Sequence, residues 1–239
     1  MLNTFDIKVT DLNSINYTHR PYCVLCDASK IAAIDIPVLA SKLLFDGELQ
    51  LLQQRKNLCA KKEYIVSRFL IKTLISKHLK LPYNKIQLRF NHQEKKLQAI
   101  FNHQPIAMNI SLAHSKGIVF FALSDKKTAL GVDIEYQNFK RNIVNVAAEF
   151  FHPEEYKTLI QDDYLKFYQL WTLKESLAKV SGQSIFELLS QNTVLLLEKY
   201  QHSLGQYDNF QLAAIHTGEL SPMPCNLLNL ATILNNYHE

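Results

Sequence analysis

Cysteine, glycine and proline are all scarce in this chain, with four, six and seven copies among 239 residues. So few cysteines exclude a disulfide-dense secreted scaffold. Only Cys23 and Cys26 form a recognisable spacing. Without a second pair, or a helix pattern opening at the motif, reduced and partly buried thiols are expected there instead of zinc or redox chemistry. Low-complexity linkers are missing as well, and so are long hydrophobic runs. The stretch Ile118 to Leu123 is far shorter than the ~20 apolar residues a membrane-spanning helix needs. The N-terminal MLNTFDIKVT also lacks the basic and apolar regions of a signal peptide. A cytoplasmic protein with no membrane contact is expected.

Charge of one sign is not in large excess either. Twenty-six basic and 22 acidic residues leave a formal net charge of +4. That falls short of the dense basic stripe of a nucleic-acid binder, so no nucleic-acid partner is expected. An acidic protein or a phosphorylated small molecule suits it better. What is present, 47% apolar and 20% charged residues, is enough to build one large domain or two small ones.

Hydrophobic periodicity predicts the elements. Thr4 to Val9 alternates and reads as a strand, as does Tyr22 to Leu25. From Lys61 to Lys80 apolar residues recur three and four apart, predicting a helix with one buried face that ends before Pro82. Three β-like runs follow, Ile86 to Phe90, Leu97 to Phe101 and Ile106 to Leu112, consistent with a meander. The order then restarts: strands over Ile118 to Leu123 and Ala129 to Glu135, helices over Asn142 to Phe150 and Asp163 to Ser181, strands over Thr193 to Leu197 and Phe210 to Ile215. Leu227 to Asn236 reads as a short helix. This succession predicts an α+β protein of two halves, 1–115 and 116–239, with a ligand cleft between them.

Four features carry chemistry. In GVDIE, residues 131 to 135, strand alternation sends Asp133 and Glu135 to one face and Val132 and Ile134 to the other. Two carboxylates so close repel unless a cation neutralises them, and a hard divalent ion such as magnesium is the natural partner. An acidic outer face of an edge strand would look the same. In WTLKESLAKVSG, a helix capped by Asp162 or Asp163 and closed by Gly182 aligns Trp171, Glu175 and Lys179 on one stripe. Helix-surface Glu and Lys pairs are common, but the chain's only tryptophan on that stripe implies that it packs against something. In NISLAHSKG, His114 and Ser115 end a strand, where they can hold a phosphate or simply make a turn. Lys61, Arg68 and Lys72 fall at helical spacing on one face, which reads as solvated surface or as an anion site.

Taken together and in this order, these pieces resemble the phosphopantetheinyl transferases of the Sfp type. The resemblance spans roughly Lys61 to Ile185 and rests on GVDIE followed by the pattern F-x-x-x-W-x-x-K-E-[SA]-x-x-K-x-x-G over Phe167 to Gly182, with HS ahead of both. It implies a pseudo-dimer of two similar α+β halves, each a small, mostly antiparallel sheet packed on a long helix. It also implies transfer of the phosphopantetheine arm of coenzyme A to a serine of an acyl or peptidyl carrier protein of fatty acid, polyketide or nonribosomal peptide synthesis. By motif position, Asp133, Glu135 and Glu175 would bind Mg2+, Glu175 would also serve the attacking serine as base, and Lys179 would face the phosphates. Lys61, Lys62, Arg68, His114 and Ser115 would hold the ribose phosphate of coenzyme A. The carrier would be acidic and helical, and the enzyme a monomer.

Two positions depart from the family pattern. Its usual G-K-P turn is replaced by EKKLQAIFNHQP, leaving Lys95 or Lys96 as the substitute lysine, and Ala113 stands where serine is common. Two other functions fit parts of the same residue set: a magnesium-dependent hydrolase of a pyrophosphate, and a non-catalytic relative that binds an acidic helical carrier protein.

Overall fold

A computed structural model describes residues 4–15, 21–159, 163–219 and 223–230. The chain opens with β1 (Ile7–Thr10), β2 (Tyr22–Asp27), α1 (Asp35–Leu43), α2 (Asp46–Gln53) and the long α3 (Leu58–Leu79). It continues through β3 (Ile86–Asn91), β4 (Lys96–Phe101), β5 (Gln104–Pro105), β6 (Met108–Ser115), β7 (Ile118–Asp125) and β8 (Leu130–Tyr136). Helices α4 (Ile143–Phe150), α5 (Pro153–Thr158), α6 (Tyr164–Ser181), α7 (Ile185–Leu189) and α8 (Thr193–Leu197) precede β9 (Gln201–Tyr207), β10 (Phe210–His216) and β11 (Cys225–Leu228). Among the described residues, no helix is long and apolar enough to cross a membrane.

The protein is α+β, in four layers. The large sheet has the order β1-β11-β2-β7-β6-β4-β3, with β5 on β4, and the small antiparallel sheet is β8-β10-β9. Strand alternation assigns the layers. In β2 and β7, Val24, Val119, Phe121 and Leu123 face the core around α3, while Leu25, Phe120 and Ala122 meet Val132, Ile134, Leu212 and Ala214 of the small sheet. The far face of the small sheet, Ala213 and Ile215, packs on Leu173 and Leu177 of α6. Each long helix therefore covers the outer face of one sheet, and the two sheets share the middle. The expected division at 115/116 lies in the turn joining β6 and β7, which are paired neighbours in the large sheet.

Alternation also settles the C-x-x-C spacing. Three residues apart on β2, Cys23 and Cys26 project to opposite faces, one into each core, and burial pushes both thiols up, Cys26 to about 12. They cannot share a metal or form a disulfide.

Both long helices are capped, the second as expected. The Asn57 side chain accepts the Ala60 N–H to start α3, and Lys80 in the left-handed conformation ends it. Asp163 accepts the Lys166 N–H to start α6, and Gly182, also left-handed, ends it; Asp162 lies outside the described residues. Three expectations are corrected. Thr193 to Leu197 is the helix α8, not a strand: Asn192 caps Val194 N–H, and Thr193 and Leu197, four apart, are buried while Val194 and Leu195 are exposed. Leu227 and Leu228 belong to β11, and the rest of the helix expected to Asn236 lies almost wholly outside the described residues. The third is α3, which is buried nearly all round between Glu63 and Ile75, not on one face.

That burial encloses Lys72, and the second long helix repeats the device. Lys72 is fully buried, 2.7 Å from Glu48 of α2, and donates to the Leu43 carbonyl at the end of α1. Lys174 of α6 is fully buried, 2.9 Å from Glu155 of α5, and donates to the Leu188 carbonyl at the end of α7. Each glutamate accepts a distant backbone N–H as well, from Leu88 and from Thr193. Charges this deeply buried require such pairing.

Candidate active site

Gly131, the first residue of GVDIE, decides how closely α6 lies on β8. A Cβ there would sit 2.1 Å from the Ser176 carbonyl oxygen and 2.8 Å from the Val180 nitrogen, so only glycine lets the helix backbone rest on the strand. Ser176 donates to the Ala213 carbonyl of β10, pinning the same turn of helix to the next strand. From this position Lys179 reaches across to donate to the Val132 carbonyl at 2.8 Å and pairs with Asp133 Oδ1 at 2.9 Å. The predicted convergence of strand face and helix stripe is thus observed.

Trp171 does pack against something. It lies beside Phe167 and Phe151, with the Arg141 guanidinium 4.5 Å from its ring centre. Lys174, the residue before Glu175, anchors α6 through its buried pair with Glu155, while Glu175 is only partly buried and feels the charge of Asp133 on β8.

The carboxylates are crowded. Asp133 is buried, and while Oδ1 has Lys179, Oδ2 has no hydrogen-bond partner. Burial, then the Asp133 charge, and more weakly that of Glu175, push the Glu135 carboxyl up to about 7 against the pull of Arg141 and Lys179. Burial and Asp133 raise Glu175 too. An unmatched buried oxygen and three mutually repelling oxygen donors fit a hard divalent cation. Among the described residues, however, no three Asp, Glu, His or Cys side chains close on a single point as a finished cage. Glu135 and Glu175 are both only partly buried.

This crowding makes a stability prediction. Because the folded carboxyl of Glu135 sits near 7 and the ordinary value is 4.5, the folded form resists ionisation; stability is intact below pH 4.5 and is lost as pH rises toward 7. Glu135→Gln removes the loss. Without divalent cation, calorimetry at pH 8 is expected to show the variant melting about 3–6 °C above the parent, with the difference vanishing at acid pH.

The phosphate-gripping candidates divide into two groups. A cleft of about 760 Å3 opens between α2, α3, the β3–β4 hairpin, β6 and the side chains of Leu130 and Lys179. It is lined by Arg55, Arg68, Arg89, Lys96, Leu130 and Lys179 among others. Arg68 and Lys96 therefore line the same cleft as Lys179, and Lys95 lines it too. Arg68 stacks 4.1 Å from the Tyr64 ring centre, and its buried Nε has no partner. Lys72 is not with them: it is locked to Glu48, so the basic face read from helical spacing is not solvated.

Lys61, Lys62, His114 and Ser115 do not line that cleft. Lys62 donates to the Ser29 carbonyl at 2.9 Å. The Ser115 hydroxyl accepts the Tyr136 N–H at 3.2 Å, as Ser111 accepts that of Val132 at 3.0 Å. These two hydroxyls tie β6 to β8 and fix where Asp133 and Glu135 stand. His114 Nδ1 lies 3.0 Å from Glu63. Glu63, Arg55 and Arg141 were not anticipated; their partners come from elsewhere in the chain, so no local pattern marks them.

A family model described as the 4'-phosphopantetheinyl transferase superfamily matches residues 129–232, the stretch holding Asp133, Glu135, Glu175 and Lys179. Curated relatives include the 4'-phosphopantetheinyl transferase Sfp of Bacillus subtilis (strain 168), 31% identical over 159 residues, covering 64% of this chain and 66% of that protein. The 4'-phosphopantetheinyl transferase ffp of Bacillus subtilis is 32% identical with the same coverage. The HetI protein of Nostoc, likewise a 4'-phosphopantetheinyl transferase, is 23% identical over 54% of this chain and 55% of its own. The matched stretch thus spans just under two thirds of the Bacillus relatives. With its acidic strand, its lysine-bearing helix and these relatives, the stretch 129–232 matches the 4'-phosphopantetheinyl transferase superfamily, and the chain is similar to that family's members.

Proposed function

We propose that this chain transfers the phosphopantetheine arm of coenzyme A to a serine of an apo acyl or peptidyl carrier protein, releasing adenosine 3',5'-bisphosphate. The observation that carries this reading is the meeting of Asp133, Glu175 and Lys179 where α6 rests on Gly131. The serine oxygen forms a bond to the phosphorus that bears the pantetheine, the bond from that phosphorus to the bridging oxygen breaks, and the serine proton must go to a base. Glu175, raised by burial and by Asp133, is a stronger proton acceptor than a carboxylate in water. Lys179 is placed beside the charge that develops on the phosphates. Asp133, Glu135 and Glu175 would hold Mg2+, which when bound supplies positive charge to the pyrophosphate. Arg68 and Lys96, which line the same cleft as Lys179, would take the remaining phosphate charge.

The matching buried pairs Lys72–Glu48 and Lys174–Glu155 support two similar halves, divided near 115/116. We further infer a monomer in the cytoplasm, and the net charge of +4 favours an acidic, helical carrier. Mixing the protein with coenzyme A, Mg2+ and several apo carriers, then weighing the carriers by mass spectrometry, tests the reading. One phosphopantetheine mass added to a carrier is expected. Unchanged carriers with adenosine bisphosphate still released would indicate a hydrolase, and unchanged carriers with intact coenzyme A a binding protein.

A further inference from the structure

We propose that Glu63 is a positioning residue for His114, holding the imidazole with its Nδ1–H turned inward and Nε2 outward, so that the ring must take up a proton to grip an anionic group. The inference rests on the reading that His114 holds a phosphate of coenzyme A.

Glu63 stands in the second turn of α3 and is 5% exposed. Its Oε2 lies 3.0 Å from His114 Nδ1, while Oε1 accepts the Gly117 N–H at 2.7 Å and the Cys59 thiol at 3.6 Å. Both oxygens face donors. An ionised carboxylate only accepts, so Nδ1 carries the hydrogen and, in the neutral ring, Nε2 carries the lone pair. Burial pushes the Glu63 carboxyl up, but the bonds from His114 and Gly117 outweigh it and hold the group below the usual range, which keeps it ionised. Beside the Cys59 thiol that contacts Glu63 stand the charges of Lys62 on α3 and Lys116 in the β6–β7 turn. The His114 side chain is 46% exposed, which leaves the far edge of its ring open to a ligand.

A phosphate oxygen also only accepts, so it cannot bond a bare Nε2. Binding therefore adds one proton at Nε2 and leaves the Nδ1–H bond to Glu63 in place. Glutamine at position 63 cannot serve both neighbours. Its single oxygen satisfies the Gly117 N–H, its amide then faces Nδ1, and the neutral ring switches to the Nε2–H form.

The test is nitrogen NMR of the imidazoles in the ligand-free protein at alkaline pH, joined to calorimetric titration with coenzyme A in buffers of differing ionisation heat. The parent is expected to show His114 as the Nδ1–H tautomer and to take up about one proton on binding at pH 8. Glu63→Gln is expected to show the Nε2–H tautomer and proton uptake near zero. His114→Asn should also lose the uptake. An Nε2–H ring in the parent, or unchanged uptake in E63Q, would overturn the proposal. If E63Q fails to fold, the parent spectrum and H114N decide alone. Failure of the parent to bind coenzyme A would count against the transferase reading, while the tautomer would still decide the role of Glu63.

Discussion

Glu175→Gln is expected to lower kcat/KM for carrier modification by about 10^3-fold or more, the equivalent of about 4 kcal/mol of transition-state stabilisation. The substitution keeps the shape of the side chain but removes both a negative oxygen donor and the proposed base. It is also expected to stabilise the fold. Burial and the Asp133 charge push the Glu175 carboxyl up, so the folded protein resists its ionisation, and stability is lost as pH rises through that raised value. A neutral amide avoids that loss. Mass spectrometry of the carrier and a melting curve on the same preparation thus make opposite demands: activity falls while the melting temperature at pH 8 rises. Turnover within tenfold of the parent would remove Glu175 from the mechanism, and a falling melting temperature would contradict the crowding described here.

The second large effect is expected from Gly131→Ala. One added methyl would have to occupy a point 2.1 Å from the Ser176 carbonyl oxygen, where the obstructing atoms are helix backbone and cannot swing aside. The helix must lift away from the strand. Overpacking of this kind costs on the order of 3 kcal/mol, or about 6–12 °C in melting temperature for a chain of this size. Because α6 carries Glu175 and Lys179, activity should fall well below what the lost stability alone explains, even far below the melting temperature. A variant that melted like the parent would mean that β8 and α6 are not in backbone contact. Serine at 131 should behave like alanine, since the obstruction is at Cβ.

The site was legible in sequence to the extent that its signals are local. The two-residue period of GVDIE places Asp133 and Glu135 on one face without knowledge of the neighbours, and the four-residue period places Glu175 under Trp171. What faces those residues is not local. Lys72 reads as one member of a solvated basic stripe because its partner Glu48 lies on another helix, and burial of a lysine is visible only once that partner is known. Glu63 reads as an ordinary helix glutamate for the same reason, its histidine arriving from the end of β6. The run TVLLL fits a strand and a helix equally; Asn192 and the unequal burial of its five side chains decide the matter. Nor can periodicity show that β11, from the far end of the chain, inserts in parallel between β1 and β2.

The paired buried lysines have an evolutionary consequence. They provide a common origin from which the two long helices can be counted. The residue after the buried lysine is Glu175 in the second helix and Thr73 in the first; five residues on, Lys179 of the second corresponds to Lys77 of the first. Lys77 donates instead to the carbonyls of Leu12, Asn13 and Ile15. If the halves descend from one duplicated ancestor, the anchor survived in both copies while the chemistry survived in one. On that premise a symmetric ancestor would have presented two equivalent centres, and the position of Lys77 would now serve as scaffolding for the other.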